Sequence, residues 1–150
     1  MLVDVLRTIF KKDLNKLKQE IELYQSEKNL WRIDKSILNS SGNLCLHLVG
    51  NLNTYIGATL GQSGYIRNRD QEFSLKDIPQ KELIKKIEDT IVVVDRVMAT
   101  LKESDLQKEY PMLVLAEKTS TEYFLVHLAA HLNYHLGQIN YHRRLLDSTN

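Results

Sequence analysis

The sequence predicts an all-α fold, a four-helix bundle with a long crossover loop, on three observations. Two prolines and six glycines in 150 residues leave little room for a chain rich in turns. Four segments carry apolar residues at helical spacing, with a long polar stretch between the second and third. Nothing is repeated, low in complexity or linker-like, so residues 1–150 read as one domain with a core of its own.

The first helix is marked by Leu6, Phe10, Leu14, Leu17, Ile21 and Tyr24, with lysines and glutamates between them. Residues 29–37 turn the chain, with Trp31 expected as a plug at the bundle end. Asn39-Ser40-Ser41-Gly42-Asn43 reads as a loop that supplies N-cap candidates. The second helix is expected from Leu44 to Leu60, and its paucity of charge implies burial on several sides. Gly61 to Gln80 is the longest non-helical candidate, and a loop of that length is more often functional than idle. Asp77 reads as the N-cap of the third helix, with Pro79 in its first turn. Leu83, Ile87, Ile91, Val94, Met98 and Leu101 carry that helix. Beyond Pro111, Thr119-Ser120-Thr121-Glu122 matches a capping box in which Thr119 caps and Glu122 reaches back. The fourth helix then runs to Leu146.

Twenty basic and nineteen acidic residues leave a net charge of +1, so no overall field recruits nucleic acid or an anionic membrane. The lone Cys45 cannot form an internal disulfide, which fits a reducing, cytoplasmic setting. No apolar run approaches the roughly 20 residues of a bilayer span. The opening residues lack the uninterrupted apolar run and cleavage site of a secretory leader.

Four of the five histidines lie on the fourth helix, at His127, His131, His135 and His142. At 100° per residue they fall at about 0°, 40°, 80° and 60°, a single stripe that Gln138 and Tyr134 extend. Two histidines four residues apart can chelate one ion. His127 and His135 are about 12 Å apart along the axis, so the pair is His127/His131 or His131/His135. A third ligand must come from another helix, and His47 on the second helix is the histidine left to supply it. His142, about 10.5 Å beyond His135, is expected behind the ligands or at the surface.

His47 within the apolar LHLVGNL and the fourth-helix pattern His131-x-x-x-His135-x-Gly137-Gln138-Ile139 resemble the DinB-like (YfiT-like) superfamily. The order of elements agrees, and the segment GYIRNRDQEF is similar to an uncharacterised subgroup of it. The resemblance implies a four-helix bundle, often dimeric, with a histidine triad for a divalent metal, nickel or zinc foremost. Carried over, the metal ligands become His47, His131 and His135, and His127 becomes an extra one turn back. Characterised members of the superfamily include transferases that use low-molecular-weight thiols.

Other residues are candidates for positions behind the ligands or against a substrate. Asn51 shares the face of His47 and would orient a ligand or a water, or pack in the core. Arg67 and Arg69 suit a substrate carboxylate, with local pairing to Asp70 and Glu72 as the alternative. Tyr134 would donate a proton from the histidine face or sit in the core with its hydroxyl satisfied, and Gln138 would hold a metal-bound water, cap a substrate or bond between helices. Gly137, costly inside a helix, needs a packing or access reason, and close approach of the second helix would suffice. Cys45 is read as buried filler.

The expectation is a metal-dependent transferase that activates a small-molecule thiol against an electrophile, with no nucleic-acid or membrane partner. A metal-dependent hydrolase and a non-catalytic, stress-associated metal-binding protein are the rivals. No Asp or Glu lies on the histidine stripe, which counts against hydrolysis.

Overall fold

The apolar spacing of the first segment produces α1 (Leu2–Glu22), which buries Leu6, Phe10, Leu14, Leu17 and Ile21 along one face. The computed structural model describes residues 1–147. A 3₁₀ turn (Glu27–Trp31) follows, then α2 (Ser41–Leu52). The chain continues through a π-helical segment (Asn53–Ala58) into the single turn α3 (Thr59–Gly61). Then come α4 (Arg69–Ser74), α5 (Gln80–Thr100), the short α6 (Glu103–Leu106) and α7 (Thr121–Leu146). α1 packs on α5 and α7, and α2 on α4, α5 and α7, giving an all-α bundle with no strand among the described residues. No described helix is long and apolar enough to cross a membrane.

All twelve residues of α2 are buried, as its lack of charge predicts. It begins at Ser41, earlier than expected, because Ser40 is extended and its hydroxyl accepts from the Asn43 N–H at 3.2 Å. Asn43 is therefore no loop residue. Its amide donates to the carbonyls of Glu72 (2.9 Å) and Leu75 (2.8 Å), fastening α4 against α2. In the π-helical segment the carbonyl of Tyr55 accepts from the Tyr110 hydroxyl at 2.7 Å, and that of Thr54 from the Thr59 hydroxyl at 3.0 Å as well as from the Thr59 N–H.

Three expected boundaries shift. Residues 61–80 are not wholly loop, since Asn68 caps the short helix α4 through the Gln71 N–H. Asp77 does not cap α5. It sits at φ +60°, Pro79 holds the N-cap position, and the Gln80 N–H is satisfied by Glu27 from the 3₁₀ turn at 2.7 Å. The cap of α7 is Ser120 and not Thr119, because residues 108–121 pair as a short bridge. Tyr110 N–H donates to Thr119 O and Thr121 N–H to Lys108 O, each at 2.8 Å, and Ser120 between them is extended and opposite Glu109. Glu122 then falls one position short of a capping box.

Trp31 closes one end as expected, its ring so near the backbone of Gly42 that a Cβ there would lie 2.6 Å from it. His142 belongs to this closure, neither behind the metal ligands nor at the surface. It is buried, with Nε2 donating to the Arg32 carbonyl at 2.8 Å and Nδ1 accepting from the Tyr24 hydroxyl at 2.6 Å. Gly137 does not mark a close approach, since a Cβ there would meet nothing within 4 Å.

Two outcomes follow from these placements. Gly137→Ala should stabilise the fold by about 0.5–1 kcal/mol, read by denaturant unfolding, because the helix gains propensity and nothing clashes. Burial lowers the pKa of His142 below its ordinary value. As pH falls the unfolded chain takes up that proton first, so the stability is present above about pH 6.5 and lost below it. Thermal unfolding with metal chelated should show a smaller loss between about pH 7.5 and 5 for His142→Gln than for the parent chain.

Candidate metal centre

α7 presents His131 and His135 one turn apart, and α2 brings His47 across from them. The Nε2 atom of His131 lies 3.2 Å from the Nε2 of His47 and 3.2 Å from the Nε2 of His135. The rings stand edge to face, at 74° for His47/His131, 89° for His47/His135 and 90° for His131/His135. Three imidazoles on a tetrahedral ion with bonds of about 2.0–2.1 Å would place their nitrogens roughly 3.3 Å apart. The two pairs that include His131 match that, and all three ligand atoms lie within 4.8 Å of one another. Of the two pairs that spacing allows on the last helix, the one that converges with His47 is His131/His135, and these three residues could hold a metal ion.

What lies behind the rings fixes their protons. His47 Nδ1 is 3.1 Å from Glu72 Oε1, and His135 Nδ1 is 2.7 Å from Gln138 Oε1. Both acceptors require a proton on Nδ1, so both Nε2 atoms turn lone pairs toward the centre. Converging lone pairs repel one another, and a cation between them removes the repulsion. The donor set therefore fits a divalent transition metal. His131 Nδ1 is buried with no hydrogen-bond partner among the described residues. Burial, then the neighbouring His135 and His47, pushes the His131 pKa down to about 4, and burial lowers that of His135. Both rings are thus held neutral, as ligands must be.

Glu72 is the functional residue the sequence reading missed. It lies on α4, 5 % exposed, and takes Arg67 Nε at 2.8 Å and Nη2 at 2.9 Å as well as His47. Burial pushes its carboxyl up, but the hydrogen bonds from His47 and Arg67 outweigh this and hold it below the usual carboxylate range. The carboxylate is seated over Gly50, where a Cβ would come 1.9 Å from Oε2. Phe73, the next residue, packs on the His47 ring at 5.1 Å. The available signal was Asn68, a capping residue followed by acids in the first turn of α4. At six residues the helix is too short to display periodicity.

The remaining candidates divide. Arg67 is not free for a substrate carboxylate; it takes the local alternative and pairs with Glu72, although that pair is buried and not solvated. Arg69 lies over the Phe73 ring at 5.4 Å and, with Asn51, Tyr55, Phe124 and His127, lines a cavity of about 190 Å³ against His47 and His131. His127 stacks 6.2 Å from His131, outside the triad. Gln138 binds His135 itself through Oε1. Tyr134 is 66 % exposed and meets only the edge of His135, at 5.4 Å between ring centroids, so it does not share the inner face. Cys45 is fully buried, its thiol pushed up to about 12, and lies outside the cluster.

Fold and site together define an α-helical bundle protein with a three-histidine centre. The chain belongs to the DUF1572 family, described as a protein of unknown function, which matches residues 2–150. No curated protein matches it.

Glu72→Gln should weaken zinc binding by about 10–100-fold in a competition titration, with helicity unchanged. Gly50→Ala should do the same by displacing the carboxylate. Unchanged affinity in both would mean that another group holds the His47 proton.

Proposed function

We propose that this chain is a DinB-like metalloprotein that binds nickel or zinc at His47, His131 and His135 and transfers a low-molecular-weight thiol to an electrophile. The observation that carries the reading is the convergence of three Nε2 atoms with no fourth protein ligand grouped with them among the described residues. Structural zinc fills its positions with protein ligands, whereas a working site keeps one open. A bound divalent ion lowers the pKa of a thiol that reaches it, giving a usable nucleophile at neutral pH.

The chain's own residues supply the rest. Glu72 and Gln138 hold the two outer ring protons in place, so His47 and His135 stay oriented with their lone pairs inward. Phe73 and the buried face of α2 keep water from the back of His47. Two hollows share walls with the triad, which suits a reaction of two substrates. One is the cavity beside His47 and His131; the other, about 530 Å³, is lined by Leu38, Leu44, Tyr134, His135 and Tyr141. The second is large and apolar enough for the body of an organic electrophile. Transfer is favoured over hydrolysis because the nearest carboxylate, Glu72, is committed on both oxygens and cannot serve as a general base.

The test is metal content by mass spectrometry on protein purified without a histidine tag, beside His131→Ala. About one nickel or zinc per chain is expected, lost in the variant, with chelation leaving helicity intact and abolishing thiol transfer to a model electrophile. Absence of stoichiometric metal after reconstitution, or metal without any thiol transfer, would overturn the reading.

A further inference from the structure

We infer that the cavity beside His47 and His131 binds a small organic acid that also carries a hydroxyl or amide donor. The inference deepens the transfer reading, on which it rests only for the reaction and not for the cavity. Three asparagines lie on the segment that ends at the π-helical turn. Asn43 is bonded to Ser40, Glu72, Leu75 and Lys76, and Asn53 to Val49 and Thr90. Asn51 alone of the three makes no side-chain hydrogen bond among the described residues. It is 7 % exposed, with Oδ1 fully enclosed and unpartnered, and it lines the cavity. An enclosed amide without partners costs stability, and a ligand that bonds to it recovers that cost.

The charges point the same way. Arg67 faces the cavity but is neutralised by the bidentate Glu72. Arg69 has no carboxylate partner among the described residues, and its guanidinium rests on the Phe73 ring at 5.4 Å, which leaves its donor edge open. A guanidinium in that state takes a carboxylate in two parallel hydrogen bonds. The remaining wall is apolar, from Val114, Phe124 and Leu128. At about 190 Å³ the cavity has room for roughly six waters, and so for an acid of only a few carbons.

Lactate is the probe, with propionate lacking the hydroxyl and lactamide lacking the charge. Calorimetry on the full, zinc-reconstituted chain should show lactate binding roughly tenfold or more tighter than either control. Arg69→Gln should erase the preference over lactamide. Asn51→Leu should erase the preference over propionate while raising the thermal midpoint, since it removes an unsatisfied amide at nearly constant volume. Equal binding of the three probes, no binding, or lactate affinity unchanged in both variants would overturn the inference. Metal content measured on the same samples separates the two readings. A lactate preference without bound metal sinks thiol transfer alone, and bound metal without the preference sinks the cavity assignment alone.

Discussion

Three ring nitrogens converge from two helices, with that of His131 3.2 Å from each of the other two, and much of this molecule is arranged to hold them there. His131 and His135 need only the helical repeat, which any stable α7 provides. His47 needs more, because it must be turned inward from a different helix and kept in one tautomer. Glu72 does this, and its carboxylate is stable in a buried place only because Arg67 neutralises it and Gly50 leaves room for it. Asn43 pins the short helix that carries Glu72, so a cap near the start of α2 and a ligand in its middle depend on the same contact.

The rest of the bundle is organised around that demand. α2 is buried on every residue and carries no Asp, Glu, Lys or Arg; its polar side chains bond to Tyr24 (Ser41), fasten α4 (Asn43), join the histidine cluster (His47) or line the cavity (Asn51). The charged work is done elsewhere. α1 and α7 meet across a polar seam in which Glu20 accepts from Asn140 and Arg143, and Arg7 on α1 reaches Asp95 on α5. Such bonds hold the two outer helices in register while the apolar face of α2 is left to the core. His142 illustrates the same division, since its ring closes the bundle end and takes no part in the cluster of His47, His131 and His135.

The long helices and a histidine pair on the last of them were legible in the sequence because both are periodic, whereas the choice of His131/His135 with His47 rested on the resemblance to a known superfamily. Steps of three and four set the buried faces of α1 and α5, and the histidine spacing on α7 is the same geometry applied to ligands. What could not be read depended on contacts between segments far apart in the chain. The Gln80 cap comes from Glu27, the start of α7 is set by pairing with residues 108–110, and Glu72 is defined by His47, twenty-five positions away. The outer partner of a ligand leaves no spacing signature, because its role is fixed by the fold and not by its own helix. Gly137 misled for the opposite reason. Its residue type suggested a close approach, and the space around it is open.

Gly50 carries a consequence for the family's evolution. A methyl group there would take the volume that the Glu72 carboxylate occupies, so the carboxylate would have to shift away from its place over α2. Relatives with an acid at the position of Glu72 in this same seat are expected to keep glycine at the position of Gly50. Those without the glycine are expected to hold the acid differently or to orient the first histidine through another acceptor. Covariation of these two columns would then trace which lineages retain this form of the centre and which have rebuilt it.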